Sequence, residues 1–581
     1  MTDSKPKEII QVENLIIEGK TAEALEIVRK YQQTAWGYFF RNESDKALDI
    51  ALQSKELMEK IGEEVDLGNN SYIIGHIYVQ KGNFKEALKY GFKSLEIRKK
   101  LGNNTDLGAS YYLIGMINRW LWNYPEAIEF CQKSLSFDEI SPRIKLNNLG
   151  ALANMFAWKG DFPQGLKLTE EGLLLAEELK LLNQYASLLY NRGFIFLFMG
   201  NFKKAEEDLL KGLKYTDAPE LIFLKAMIIQ ALVEAYIEQN SMSQAEKYLN
   251  KLKEITDRNK NNSYIASLYS VAKGLTLYLS SRTRDRAEAE NLFKQVVDDG
   301  PANLYVYIYA LYCLIFMYVE ELRISDDFEI IKEINPLISD LYRQAERIQS
   351  TLFQIEGKVF QAKIELIKKN VDEAKILLLE AQRLAEMTDN QYFAQIISNE
   401  HDRLLELQDN QEKLESLQKT KQERIKLMSL KGRLSITQRE DSNDTLEIIS
   451  EIPVLLLIIG EGGVLIFSYP FTDDWKHDTE IFSSFLSAFT TFSDEFFSKG
   501  LDRVKFGDDT LLMHSVESYS IGYLFKGQSY PAKQKLIRFI EEIQLNSSIW
   551  QNLEIFFKTS QLADVKDLPQ IESLIKNTFL G

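Results

Sequence analysis

A chain of 581 residues is too long for one growing hydrophobic core, so it holds several domains or a linear array of repeats. Its 45% hydrophobic and 27% charged residues exclude a disordered or fibrous chain, and a net charge of −16 without a basic patch speaks against nucleic acid or an anionic membrane as partner. The two cysteines, Cys131 and Cys313, stand far apart without a CxxC spacing, which excludes a disulfide framework and a cysteine zinc site and suits a reducing cytosol.

Met1 to Ile10 lacks the basic-then-apolar layout of a secretory signal, so a cytoplasmic protein is expected. Lys7 to Tyr31 reads as a leading half-repeat, and from about residue 30 the sequence repeats itself. Ile61 to Gly75 aligns with Leu101 to Gly115 at an offset of 40 residues. Small residues that open a second helix recur at Ala47, Ala87, Ala127, Gly165, Ala205, Ala245, Ala289 and Ala374, in steps of 40, 40, 38, 40, 40, 44 and 85. The last step spans two repeats, one of them degenerate. A small residue is required where the second helix of a hairpin crosses the first at close range, because a larger one would force the backbones apart. Gly75, Gly115, Ala153 and Gly193 supply the facing small positions. Between them, Gly82-Asn83-Phe84, Trp122-Asn123-Tyr124, Gly160-Asp161-Phe162 and Gly200-Asn201-Phe202 form turns. There Gly or Asn takes the left-handed conformation that ends a helix, and the aromatic packs back into the hairpin.

This pattern resembles the tetratricopeptide repeat (TPR), in the long form of kinesin light chains, cell-polarity adaptors and bacterial peptide-sensing regulators, since 40 residues exceed the usual ~34. The resemblance implies an all-α superhelix of about nine hairpins over residues 1–390, with the first helix of each hairpin facing a concave groove. Three places depart from the pattern: Arg192 stands where an apolar residue is usual, residues 300–350 lack a clean small-residue pair, and Arg282 to Arg286 is an inserted basic turn. Counting outward from the small residues, the groove candidates are Tyr72, His76, Tyr112, Met116, Arg119, Trp120, Asn147, Asn154, Trp158, Tyr190, Phe194 and Phe198. Aromatics with Arg and Asn are the residue types of peptide-binding hot spots, whereas the plainer alternative for each is packing between hairpins. The Lys, Arg and Asn set with which chaperone-binding TPR proteins clamp a terminal carboxylate has no counterpart at matching positions.

Leu304 to Val319 is a 16-residue apolar run that carries five tyrosines and is followed by Glu320 and Glu321. It falls short of the ~20 residues a bilayer needs and predicts a buried repeat helix. Residues 391–445 form a bridge: a polar helix with a short stripe of Leu404, Leu407, Leu414 and Leu417, then a linker from Lys431 to Asp444 without periodicity.

Beyond residue 446 the period becomes strand-like. Pro453 to Gly460 and Val464 to Tyr469 read as strands joined by a Glu461-Gly462-Gly463 hairpin turn. Thr479 to Ser498 is an amphipathic helix with Phe482, Phe485, Leu486, Phe489, Phe492 and Phe496 on one face. Strands follow at Asp502 to Phe506, Thr510 to Val516 and Tyr519 to Phe525, then helices at Ala532 to Gln544 and near Leu568 to Phe579. The order β-β-α-β-β-β-α-α resembles the longin and roadblock family of small α/β modules with an antiparallel sheet, a profilin-like or PAS-like sheet being the alternative. The resemblance implies docking of a small GTPase or self-association, and no catalytic motif.

Chemistry finds no foothold. His76, His401, His477 and His514 have no metal-ligand neighbour at helical or hairpin spacing, and the glycines around Glu461 lack phosphate-loop spacing and a lysine. No GxSxG elbow occurs, and Asp473-Asp474 and Asp508-Asp509 read as solvated turns. The expectation is a cytoplasmic interaction protein without enzyme activity, metal or cofactor. Its groove holds a peptide or helix of a protein partner and its C-terminal module binds a GTPase or a second copy. The alternative is a peptide- or ligand-sensing regulator whose last domain is a sensor or output.

Overall fold

The computed structural model describes residues 7–402 apart from 42, 103, 138, 261, 281, 301–303, 326, 369, 388–393, 396 and 400, and then 451–460, 464–471, 503–506, 509–516, 519–559 and 561–580. The stripe of leucines from Leu404, the linker, the Glu461-Gly462-Gly463 turn, the phenylalanine-rich helix of 479–498, Asp473, Asp474 and Asp508 lie outside the described residues. The chain divides into two units, one of Met1–Phe360 with Leu384–Asn390 and one of Gln361–Arg383 with Gln391–Gly581.

In the first unit α1 (Lys7–Ile17) leads into hairpins: α2 (Thr21–Phe40) with α3 (Ser44–Ile61), α4 (Glu64–Gln80) with α5 (Phe84–Leu101), and α6 (Asn104–Trp120) with α7 (Tyr124–Leu135). The series continues with α8 (Pro142–Lys159) and α9 (Phe162–Glu178), α10 (Leu182–Phe198) and α11 (Phe202–Leu213), and α12 (Ile222–Glu238) and α13 (Met242–Arg258). Then come α14 (Ser263–Tyr278) with α15 (Thr283–Asp298) and α16 (Leu304–Ser325) with α17 (Ile331–Arg347), before α18 (Thr351–Ile367) and α19 (Val371–Met387). Even-numbered helices from α2 to α16 touch one another in succession, and odd-numbered ones beyond α3 do not come as close. The even-numbered set is therefore the inner wall of an α-solenoid.

The small residues meet as the repeat requires. A Cβ on Gly75 would lie 2.8 Å from Leu113 and 3.6 Å from the Ala87 carbonyl, and one on Gly115 would lie 2.8 Å from the Cys131 sulfur and 3.3 Å from the Ala127 carbonyl. Gly165 faces the Ala153 carbonyl at 3.2 Å and Gly193 the Ala205 carbonyl at 3.3 Å in the same sense. The turns need a correction in detail. The left-handed residues are Gly82, Trp122, Gly160 and Gly200, and the following Asn or Asp caps the next helix instead. Asn83, Asp161 and Asn201 accept from the backbone N–H three residues on, at 3.3, 3.1 and 3.4 Å. In the third turn the left-handed position falls on Trp122, with φ of 61°, a conformation that costs a residue bearing Cβ.

Three expectations about the array change. The leading segment is two helices, of which α2 runs on to Phe40 and already forms the first hairpin with α3. Thr283 to Arg286 belong to the first turn of α15 rather than to an inserted loop, with the Ser280 hydroxyl donating to Asp285 at 2.5 Å. Arg192 is accommodated because Asp208, on the partner helix α11, accepts from its Nε at 2.7 Å and its Nη2 at 2.8 Å. The apolar run is α16, buried on every side from Val306 to Phe316, and no helix among the described residues is long and apolar enough to cross a membrane.

The second unit carries a five-stranded antiparallel sheet of β1 (Ile452–Gly460), β2 (Leu465–Pro470), β3 (Arg503–Phe506), β4 (Asp509–Val516) and β5 (Tyr519–Lys526), in the order β2-β1-β5-β4-β3. Asp509, expected in a turn, opens β4. On one face Leu456, Ile458, Tyr523 and Phe525 pack with residues of α20 (Ser529–Leu545), α21 (Ser547–Thr559) and α22 (Pro569–Ile575). Helix α21 was not expected. Asn546 ends α20 and its side chain accepts from the Ile549 N–H at 3.3 Å, restarting the chain as a new helix that buries Ile549 and Leu553. The sheet edge is also anchored: Arg503, its side chain 1% exposed, donates to Asp402 at 2.9 Å and to Gln382 at 2.7 Å. Asp402 also accepts from the Ser529 N–H at 2.9 Å and hydroxyl at 2.6 Å.

Because the Gly115 crossing leaves no room for a side chain, Gly115→Val is expected to destabilise the first unit by about 1–3 kcal/mol. Thermal melting followed by circular dichroism should show a lowered midpoint, while the same change at exposed Leu174 should not.

Candidate interaction surface

Helices α4, α6 and α8 each present one face of the inner wall. On α4, Tyr72 and His76 are one turn apart and share a face, their rings 4.5 Å apart edge to face. Trp36 of α2 stands 5.6 Å from His76 and 6.2 Å from Tyr72. Beneath them the buried Arg98 of α5 places its guanidinium 4.9 Å from the Tyr72 ring. It donates to Asn69 Oδ1 at 2.9 Å, to the Asp106 carbonyl at 2.9 Å and to the Ser110 hydroxyl at 2.8 Å. Burial first, and the Arg98 cation second, push His76 down to about 4, so its imidazole is neutral at physiological pH. Its buried Nε2 has no hydrogen-bond partner.

On α6, Trp120 is 38% exposed, stacks on Phe84 at 6.5 Å and has the Arg119 guanidinium 5.8 Å from its ring. Tyr112 and Met116 are half-buried one turn apart, and burial pushes the Tyr112 hydroxyl up to about 12, with the Asn147 amide of α8 beside it. Asn147 and Asn154 are half-buried on α8. Eight of the candidates thus line α4, α6 and α8 with part of each side chain open to solvent. Together they make a partly exposed strip of aromatic rings, amides and one guanidinium along the inner wall.

The other four are interior. Trp158, Tyr190, Phe194 and Phe198 are buried. The Trp158 ring lies 5.4 Å from Phe194, 5.6 Å from Phe198 and 5.3 Å from Phe353 of α18. The reason is a clasp that brings the turn between α17 and α18 onto the ends of α6 and α8. Arg347 donates to the Leu121 carbonyl at 2.8 Å, with its guanidinium 5.1 Å from the Trp122 ring. The Ser350 hydroxyl donates to the Trp158 carbonyl and accepts from the Phe353 N–H at 3.4 Å, while the Thr351 hydroxyl donates to the Lys159 carbonyl at 2.5 Å. Carbonyls left over at the end of α8 are thereby satisfied by residues 192 positions later. No repeat-based count could find this, because the partners are unrelated by the repeat.

Residues 70–100 and 186–218 match the family model of the tetratricopeptide repeat, so the chain carries TPR units at α4 with α5 and at α10 with α11. No curated protein matches the chain. Among solved structures it is similar to NprR in complex with its cognate peptide NprX, at 16% identity over 58% of this chain and 97% of that one, with a TM-score of 0.41. It is also similar to the apo form of the quorum sensor NprR from B. thuringiensis, at 15% identity over 57% and 97% of the two chains and a TM-score of 0.40. A Rap protein complexed with competence and sporulation factor shares 12% identity over 66% and 99%, with a TM-score of 0.36.

Two outcomes follow from the geometry. The unfolded chain takes up a proton at His76 near 6.5, the folded one only near 4, so stability is full above pH 6.5 and declines as pH falls toward 4. His76→Phe should flatten that decline in melting curves recorded across the window, and an unchanged slope would remove His76 from the account. For the clasp, Ser350→Ala leaves the Trp158 carbonyl without its donor and is expected to cost about 1–3 kcal/mol. Hydrogen exchange should quicken both at residues 156–160 and at 347–353; a change confined to the second stretch would mean that the clasp holds nothing.

Proposed function

We propose that this chain is a non-catalytic interaction scaffold that holds a peptide segment of a partner protein against α4, α6 and α8 and docks a second protein through its C-terminal unit. The observation that carries the first half is the repetition of partly open aromatic and amide side chains at one register of successive inner helices, Tyr72 with Tyr112 and His76 with Met116 and Asn154. Rings supply apolar contact with little side-chain entropy to lose, and amides pair with a peptide backbone, which together suit an extended segment.

For the C-terminal unit the strand pair and strand triplet support the longin or roadblock reading, with a small GTPase or a second copy as partner. Leu545, Ile555 and Leu562, exposed at 86%, 58% and 49%, are the apolar side chains this unit offers to a partner. Two binding units on one chain raise the local concentration of one partner near the other, which makes recruitment the mechanism. A cytoplasmic setting belongs to the same proposal.

Affinity purification of the full chain with mass spectrometry tests both halves. Trp120→Ala with Asn154→Ala should lose one set of captured proteins and Leu545→Glu with Ile555→Glu another. A groove variant that captures the same proteins as the parent overturns the groove. A C-terminal variant that keeps every captured GTPase and its self-association overturns the second half.

A further inference from the structure

Four arginines among the described residues are at least half-buried: Arg98 and Arg503 are buried, Arg119 and Arg192 half-buried. Three are answered within the fold. Arg192 has the Asp208 carboxylate at 2.7 Å, Arg503 has Asp402 at 2.9 Å, and Arg98 donates to Asn69, Ser110 and the Asp106 carbonyl. Arg119 is different. Among the described residues no carboxylate lies within ion-pair distance of it and no acceptor within hydrogen-bond distance, although the chain as a whole carries a charge of −16. Half-buried on the inner wall, Arg119 thus keeps a guanidinium that is reached by solvent and paired with no described side chain.

Its setting is the open part of the inner wall. The guanidinium stands beside the exposed ring of Trp120. Its positive charge also reaches the Tyr112 hydroxyl on its own helix and the Tyr190 hydroxyl of α10, holding both lower than burial alone would. Around the cation there are thus hydroxyl and amide donors, with Asn147 at Tyr112, and aromatic surface. The planar fork of a guanidinium matches the two oxygens of a carboxylate.

We propose that Arg119 anchors the carboxylate of an Asp or Glu side chain in the bound segment, so that the groove selects acidic peptides carrying an apolar residue for Trp120. The proposal rests on the groove reading above and goes beyond it by fixing the charge of the ligand. The acid forms an ion pair with Arg119, and the half-buried hydroxyl of Tyr112 donates to the same anion. A lysine-rich segment is disfavoured because it would place like charge beside the Arg119 cation.

The test is a C-terminally amidated random octapeptide library on beads, presented to the full-length protein, so that the only carboxylates offered are side chains. The parent should enrich Asp and Glu roughly tenfold over Asn and Gln, the size of one charge-assisted pair. Arg119→Gln should abolish that enrichment while still capturing peptides, and Arg119→Lys, which keeps the charge without the fork, should retain part of it. Because Arg119 has no partner to lose, Arg119→Gln should melt at the temperature of the parent. Capture without acid enrichment, or enrichment that survives Arg119→Gln, overturns the role of Arg119. The groove reading stands in that case if Trp120→Ala with Asn154→Ala lowers capture. Absence of any captured peptide overturns the groove reading, and the role of Arg119 with it.

Discussion

The first unit depends on one steric constraint, the crossing of the two helices of a hairpin over a residue that has no room for a side chain. At Gly75, Gly115, Gly165 and Gly193 the space for a Cβ is already filled by a neighbouring carbonyl or side chain. Close crossing fixes the distance between axes, and repeated at intervals near 40 residues it sets successive inner helices in the same register. That is why Tyr72 and Tyr112, separated by one repeat, come to occupy equivalent places on the wall. A binding surface made by repetition inherits its regularity from the crossings.

Such a constraint is legible in sequence because it acts within a hairpin, over a dozen residues. So are the strands of the second unit, whose β-branched and aromatic runs stand out against the helical pattern before them. The partner of Arg192 was within reach as well, since Asp208 lies on the other helix of the same hairpin. What sequence conceals is contact between parts that the repeat does not relate. Trp158, Phe194 and Phe198 have the spacing of groove residues, and nothing local says that Phe353 will cover Trp158. Arg503 likewise reads as an ordinary strand residue, and only the fold reveals that Gln382, Ser398 and Asp402 converge on it. A pattern gives the face on which a side chain stands; long-range packing decides whether that face is free.

The clasp changes the thermodynamics of the array. In a solenoid each repeat contacts its neighbours only, so stability is close to a sum of local terms and bending is soft. Contacts from Arg347, Ser350 and Phe353 to the ends of α6 and α8 add a term that a change of curvature must break. Any ligand that needs the covered ring of Trp158 competes with Phe353. Any ligand that binds a more open coil is weakened by the free energy of the clasp, because it can shift the equilibrium only by its preference for one state over the other.

The same accounting applies to charge along the wall. His76 is held neutral by burial and by Arg98, and Arg98 is itself occupied with neutral acceptors. Most of the open surface is therefore aromatic or amide in character and carries no charge of its own. Arg119 adds to that surface a positive charge that no described side chain pairs, and under the proposed role of the groove it is the group that would distinguish ligands by charge. If the proposed groove is right, the rings would decide that a segment binds and a single guanidinium which one.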